Sequence, residues 1–494
     1  MKFLHCFLFI LCLLPSIIFA QAKLSGTVFD FSKKEKLFNA VVQLKNGKGT
    51  KTSMNGTFLL EIPEGNQEVE IKYLGFETQT ISVNLKPIEE KNIEIFLQPK
   101  ANDIHQVTIS GSRFEKRAAE EIVSIEVVKP KQILNSGLNS MDDALNRVPG
   151  VDVIENQVNI RGGAGWSYGA GSRVLVLVDD MPMLTADAAD AKLDFLPIEN
   201  CEQIEVLKGA ASSLYGSAAL NGVVNFRTGY AGLKPKTKVM IYNGMFGNPD
   251  EKSWIWWGKK QPQFQGGYFS HSRKIKNLDV VFGSAWFSED SYLQGDLSRR
   301  ARANLNLRYR DKKIEGLIYG INLNGQLSKS QTFFFWDSTI NNNYLPYGGL
   351  ADSTTTINKN QGQRFNIDPY IIYNGKKGSK HSLRSRWFRS NNQIPEKNQS
   401  SIADLYYIDY QFSKAIESEN KFLNQLNFVG GVTANFQNVV GELYGKHSGN
   451  NKAAYVQLEK KIGKLWTSVG ARYEQNVVDT FKPEARPVFR FGAN

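Results

Sequence analysis

A mainly β chain is predicted: a small β-sandwich, then a compact α+β unit, then an antiparallel transmembrane β-barrel. Three observations carry that reading. From Lys236 onward, apolar and polar residues alternate along runs of roughly ten residues, the length of a tilted strand in a bilayer. The connections between those runs alternate long and short, whereas a soluble sandwich has no reason to keep such parity. After residue 20, no apolar run approaches the roughly 18 residues a membrane helix needs, and the mean hydropathy is -0.35. The 494 residues, 41% hydrophobic and 22% charged with 42 Gly and 16 Pro, exclude wholesale disorder and a collagen-like repeat.

The N-terminus reads as a secretory signal peptide over residues 1–22. Lys2 precedes an apolar run from Phe3 to Leu14, Pro15 follows, and Ala20-Gln21-Ala22 fits cleavage before Lys23, with cleavage after Ala20 a comparable option. Of 3 Cys, Cys6 and Cys12 lie in that leader, so Cys201 is left alone and no internal disulfide is expected. The net charge of +12 invites a nucleic-acid partner, but the chain is exported and its Lys and Arg are spread along alternating strands, so none is expected.

Residues 23–98 read as the sandwich, with strands at Leu24 to Phe29, Ala40 to Leu44, Gly56 to Ile62, Val69 to Tyr73, Gln79 to Leu85 and Ile93 to Leu97. Asn46-Gly47 and Asn55-Gly56 supply turns that need positive φ. Residues 99–117 form a polar linker holding one extended alternation, Val107-Thr108-Ile109-Ser110. In 118–229, Ser140 caps a short helix whose first turn carries Asp142 and Asp143, and Pro149-Gly150 stops it. Strands follow at Val158 to Arg161, Arg173 to Val178, Ile204 to Leu207 and Val223 to Arg227.

Residues 230–494 carry about twelve barrel strands. The long connections are expected at Phe246 to Gln261, Ser288 to Ser298, Ser328 to Asn360, Asn391 to Ser400, Asn438 to Asn450 and Asn476 to Pro483. The tight ones are expected at Arg273 to Lys276, Asp311-Lys312, Asn374 to Ser379, Ser413 to Asn420 and Ile462-Gly463.

Gly26-Thr27-Val28, Asn55-Gly56-Thr57-Phe58 and Gly75-Phe76-Glu77 resemble the carboxypeptidase-regulatory-like domain that precedes many outer-membrane receptors of Bacteroidetes. Ala144-Leu145-Asn146-Arg147-Val148-Pro149-Gly150-Val151, Asn159-Ile160-Arg161-Gly162, Val174 to Pro182, Ile204 to Gly209, Ser212 to Gly216 and Gly222-Val223-Val224-Asn225 resemble the plug of TonB-dependent outer-membrane receptors. The resemblance covers essentially the whole mature chain. It implies an outer-membrane receptor that takes up a bulky, scarce solute, surrounded by outer-membrane lipid and energised by TonB. It further implies that Val107, Thr108, Ile109 and Ser110 contact TonB as an added strand, and that Arg161, Glu205 and Lys208 pair with the barrel wall to seat the plug. The family closes about 22 strands around its plug. The chain is therefore expected to be an N-terminal fragment or a truncated gene product.

Several bland motifs bound the chemistry. The loop around Gly163, Gly165 and Gly169 is no dinucleotide fingerprint, since Tyr168 stands where the third Gly belongs. Asp179-Asp180 reads as a strand-ending turn, and His105, His271, His381 and His447 are scattered without metal-ligand spacing. No catalytic residue, metal site or cofactor is expected, and the chain is not read as an enzyme. Candidate solute contacts are Trp166 and Tyr168 in the Gly-rich loop and Trp254, Trp256, Trp257, Trp336 and Tyr344 in the long connections. Lys252, Lys259 and Lys260 beside the tryptophans rank a ferric siderophore-type chelate first, cobalamin second and an oligosaccharide third. An alternative is a surface β-protein that only adheres.

Overall fold

The computed structural model describes residues 21–31, 35–45, 47–73, 76–98, 107–108, 110–114, 116–118, 121–129, 141–154, 157–163, 172–209, 212–333, 335–337, 345–351, 353–375, 378–416, 418, 420 and 423–493. The chain divides into two compact units, Met1–Asn102 and Asp103–Asn494. Among the described residues no helix is long and apolar enough to cross a membrane.

The first unit contains β1 (Gln21–Asp30), β2 (Val41–Leu44), β3 (Gly49–Lys51), β4 (Thr57–Pro63), β5 (Gly65–Lys72), β6 (Gln79–Leu85) and β7 (Glu90–Leu97). They form one sheet in the order β4-β1-β7 and a second in the order β3-β2-β5-β6. Alternation decides the packing: along β4, Phe58, Leu60 and Ile62 are buried while Thr57, Leu59 and Glu61 are exposed. Phe58, Leu60 and Ile62 meet Leu24, Val28, Val42, Val69, Ile71 and Leu97 in one core, where each full burial contributes about 1.5–3 kcal/mol.

The signal-peptide run over residues 1–20 lies outside the described residues. At its C-terminal edge, β1 starts at Gln21 and the fully buried Ala22 pairs with Ile62. Cleavage before Lys23 would remove that packed residue, whereas cleavage after Ala20 keeps it.

The second unit has an α+β body inside a sheet wall. The body comprises β8 (Val107–Thr108), β9 (Lys116–Arg117), β10 (Ile125–Val128), α1 (Met141–Asn146), β11 (Val151–Ile154), β12 (Gln157–Ile160), β13 (Val174–Val178), β14 (Met181–Pro182), β15 (Cys201–Lys208), α2 (Ser212–Tyr215) and β16 (Gly222–Thr228). Its five-stranded sheet runs β10-β15-β16-β13-β14. β13 lies parallel to β16, and all five of its residues are buried, which is why Val174-Leu175-Val176-Leu177-Val178 is continuously apolar. The Ser140 cap lies outside the described residues. Residues 107–117, expected as linker, belong to this body, since Val107 pairs with Arg117 and Thr108 with Lys116 in a two-stranded ladder.

The wall is a 12-stranded antiparallel sheet in chain order. Its strands are β17 (Lys236–Met245), β18 (Gln263–Ile275), β19 (Leu278–Asp290), β20 (Leu297–Arg310), β21 (Leu317–Thr332), β22 (Asn358–Asn374), β23 (Ser379–Gln393), β24 (Ser401–Ile416), β25 (Leu426–Gly441), β26 (Gly445–Ile462), β27 (Leu465–Val478) and β28 (Glu484–Ala493). In β24, Tyr406, Ile408 and Tyr410 face outward and exposed, while Leu405, Tyr407 and Asp409 face the body and are buried. Loop parity holds for the connections after β17 and β21. It fails after β25, where the ladder continues to Gly441 opposite Gly445 and the expected long loop is a tight turn. The run Asn438 to Asn450 reads as loop from its Asn, Gly and Ser content, yet Asn438 to Gly441 pair with Gly445 to Ser448, because a ladder is held by backbone hydrogen bonds whatever the side chains.

Candidate functional site

The body meets the wall through buried charges that the chain folds into place from distant positions. The β8–β9 hairpin supplies two cations. Arg113 Nη1 donates to Asp409 Oδ2 at 2.8 Å, to Gln411 Oε1 at 2.8 Å and to the Tyr455 hydroxyl at 3.0 Å, and its guanidinium lies over the Tyr215 and Tyr455 rings. Lys116 pairs with Glu459, and its ammonium sits 4.5 Å from the Trp466 ring centre. Both pairs are desolvated, so losing one partner costs far more than at a surface.

Further contacts come from the body's turns. Asp179 and Asp180 both adopt positive φ between β13 and β14. That turn aims Asp180 at Arg227, which grips it through both guanidinium nitrogens at 2.7 and 2.8 Å. Burial opposes ionisation of Asp180, but Arg227 and then Arg384 outweigh it and hold the carboxyl well below the usual range. The wall reaches the same turn: Arg384 donates to the Asp179 carbonyl, Asn322 Nδ2 donates to Asp179 Oδ2, and Arg386 donates to the Met181 and Pro182 carbonyls at 2.9 Å. Farther along, Arg302 binds the fully buried Glu199 at 2.6 Å, and Gln326 donates to Asp194 at 2.8 Å.

The expected TonB-contact segment is not the exposed strand predicted for it. Ser110 is wholly buried: its N–H donates to Glu205 Oε2 at 2.7 Å, its carbonyl accepts from the Tyr215 hydroxyl at 2.9 Å, and its hydroxyl accepts from Asn225 Nδ2 at 2.7 Å. Thr108, equally buried, donates to Glu121 Oε1 at 3.3 Å, and Ser112 donates to the same oxygen at 3.1 Å. A side chain at Gly111 would overlap the Glu121 carboxylate. Burial pushes the Glu121 carboxyl up to about 7, against the pull of Lys116. Val107 contributes its backbone ladder, and Ile109 lies outside the described residues.

The three charges expected to seat the body also find other partners. Lys208 binds Glu126 at 2.5 Å and the Pro149 carbonyl at 2.7 Å, both within the body. Glu205 holds Ser110, Gln203 and Arg227, again within the body. Arg161 is exposed at a positive-φ turn position after β12. The wall contacts instead use Arg113, Lys116, Asp179, Asp194 and Glu199. Only Asp179-Asp180 among these drew notice in the sequence. A charge inside a segment otherwise rich in small or apolar residues was the available signal.

At the opposite end from the tight turns, the connections of the wall are tied together. The Trp256 indole N–H donates to the Tyr292 carbonyl at 2.7 Å, joining the β17–β18 and β19–β20 loops. Leu350 and Ile357 close over Gly295, Lys397 donates to the Thr355 carbonyl at 2.5 Å, and the Ser400 N–H donates to Glu442 at 2.8 Å. Trp256 and Trp257 meet edge to face at 5.7 Å, and Trp254 is half-buried beside them. Trp336 is 57% exposed and Tyr347 is 61% exposed. Trp166, Tyr168 and Tyr344 lie outside the described residues.

Comparison with known proteins agrees with this geometry. Residues 117–223 match the TonB-dependent Receptor Plug Domain, and residues 24–109 match the CarboxypepD_reg-like domain. The chain is 33% identical over 156 residues to the vitamin B12 transporter BtuB of Vibrio vulnificus (strain YJ016), covering 30% of this chain and 24% of the relative. It is 30% identical over 235 residues to TonB-dependent receptor P3 of Formosa agariphila, covering 45% of this chain and 22% of the relative. Its fold superposes on FpvA of P. aeruginosa, solved bound to heterologous pyoverdines, with a TM-score of 0.58 at 13% identity, over 81% of this chain and 59% of that one. The aligned segments span about a quarter of the length of those two curated relatives. A regulatory-like domain, a plug domain seated on a β wall and these relatives together give the chain the domain order of the TonB-dependent receptors of the outer membrane.

Proposed function

We propose that this receptor takes up a bulky, scarce solute across the outer membrane by active transport. The observation that carries the reading is the seating of the plug: discrete buried ion pairs, Arg113 to Asp409 and Lys116 to Glu459, join a compact body to the wall beneath a canopy of linked loops. A few desolvated pairs hold a plug firmly at rest and fail one by one under a directed pull, which suits a transporter better than an adhesive surface protein. TonB engages the segment Val107, Thr108, Ile109 and Ser110 after it leaves its seat against Glu121 and Glu205, adding it as a strand to its own sheet. No chemical bond is made or broken, and no cofactor takes part.

The solute is a ferric siderophore-type chelate. Exposed Lys252, Lys259 and Lys260 flank Trp254, Trp256 and Trp257, combining flat stacking surface with positive charge that favours an anionic chelate over a neutral glycan. Trp336, exposed in the β21–β22 connection, offers a further ring for stacking. Cobalamin is the second reading, favoured by the likeness to a vitamin B12 transporter. A strain lacking the full-length receptor, grown with one ferric chelate, cobalamin or one glycan as the limiting nutrient, tests the ranking. Normal growth on every ferric chelate with a defect on cobalamin or on one glycan overturns it.

A further inference from the structure

The tight-turn end of the wall carries a collar of cations that seating the plug does not use. Arg273 lies at the end of β18 and Lys276 in the β18–β19 turn, Lys312 and Lys313 occupy the β20–β21 turn, and Lys464 lies in the β26–β27 turn; all five are exposed. None takes part in an ion pair among the described residues. The carboxylates at this end are largely committed. Asp279 is fully buried and held by Arg308 and Arg310, and Asp311 accepts from the backbone N–H groups of Lys313 and Ile314. The loop end is mixed instead, with Asp250 and Glu251 beside Lys252, and Glu396 beside Lys397.

An aromatic band lies immediately above the collar on the outward face. Tyr309 and Tyr319 pack at 5.3 Å across β20 and β21, and His381 packs on Phe412 at 5.0 Å across β23 and β24. Aromatic rings collect where hydrocarbon gives way to headgroups, so the cations one turn beyond them stand at headgroup depth. There, a phosphate that carries net charge attracts them, whereas a zwitterionic headgroup presents its own cation.

We infer that this collar is a binding surface for anionic glycerophospholipid headgroups, which gather at the turn end of the wall and orient the receptor in the bilayer. The inference does not depend on the solute or on TonB. It is tested on the full-length receptor with a bimane fluorophore on Leu465→Cys, an outward position beside Lys464, and separately on Val440→Cys, an outward position at the loop end. The receptor is reconstituted in phosphatidylcholine vesicles that hold a minority of brominated phosphatidylglycerol or, at the same mole fraction, brominated phosphatidylcholine. Brominated phosphatidylglycerol should quench the Leu465 label roughly twofold more than brominated phosphatidylcholine does, with no preference at Val440. The combined variant Lys276→Gln, Lys312→Gln, Lys313→Gln and Lys464→Gln should erase the preference, and Lys252→Gln with Lys259→Gln and Lys260→Gln should leave it intact. Equal quenching at Leu465, an equal preference at Val440, or a preference that survives in the collar variant overturns the inference.

Discussion

Arg113 and Asp409 are 296 positions apart in the chain and 2.8 Å apart in space, each with 3% of its side chain exposed. Plug and wall are joined there by a contact that neither residue could satisfy alone. Asp409→Ala should destabilise the seat by about 3–5 kcal/mol, because it strands a buried guanidinium, whereas Arg113→Met with Asp409→Leu should recover much of the loss. Urea unfolding of the receptor, followed by protease sensitivity of the plug, reads this out. A double variant no better than Asp409→Ala would show that the pair is not the seat.

The buried Thr108 and Ser110 make accessibility the natural measure of TonB-segment release. Thr108→Cys should react with a water-soluble maleimide far more slowly than a cysteine at exposed Tyr347. Adding Glu205→Ala, which removes the acceptor of the Ser110 N–H, should raise the rate. Equal rates at Thr108→Cys and Tyr347→Cys in the otherwise native receptor would place the segment in solvent at rest and refute the latch.

Glu121 makes the same latch pH-dependent. Its carboxyl is raised from 4.5 to about 7 by burial, so between those values the folded hairpin holds a proton that the unfolded one releases. The contribution is full below pH 4.5 and lost as pH rises to about 7, so opening should grow by up to about two orders of magnitude across the window. The protection factor of the Ser112 amide, observed exchange corrected for its intrinsic pH dependence, should fall across this window, and Glu121→Gln should hold it constant. A pH-independent protection factor in the native receptor would remove Glu121 from this segment's seat.

Orientation follows from the loops. In whole cells that make the full-length receptor, a membrane-impermeant label should reach Tyr347→Cys but not Lys312→Cys. Labelling at Lys312→Cys with none at Tyr347→Cys would invert the topology.

Two tryptophans of the canopy should behave differently. Trp256→Phe removes the hydrogen bond to the Tyr292 carbonyl and should cost about 1 kcal/mol of loop stability. Trp336→Ala, at an exposed position, should leave the fold intact and weaken binding of a ferric chelate by about 0.5–1.5 kcal/mol. Unchanged chelate affinity in Trp336→Ala would take that ring out of the solute surface.

Local patterns were legible in the chain. Period-2 alternation announced the wall, since side chains on a strand point alternately to lipid and lumen whatever lies across from them. The unbroken apolar run Val174 to Val178 announced a strand buried on both faces, and Asn-Gly pairs announced turns. Each of these depends on a residue and its near neighbours. The segment Val107 to Ser110 shows where that limit falls: its polar, extended character suits an exposed strand equally well, and only Glu121, Glu205, Tyr215 and Asn225, drawn from four other stretches, bury it. Arg161, Glu205 and Lys208 are expected at the wall from the resemblance to the plug, and a matched motif does not say which partner the fold brings within 3 Å. What the sequence by itself determined was the alternation and the turn chemistry, which are set within a few residues. What the tertiary structure decided was partnership, because desolvated ion pairs form between whatever groups the packing of the wall against the plug leaves facing one another.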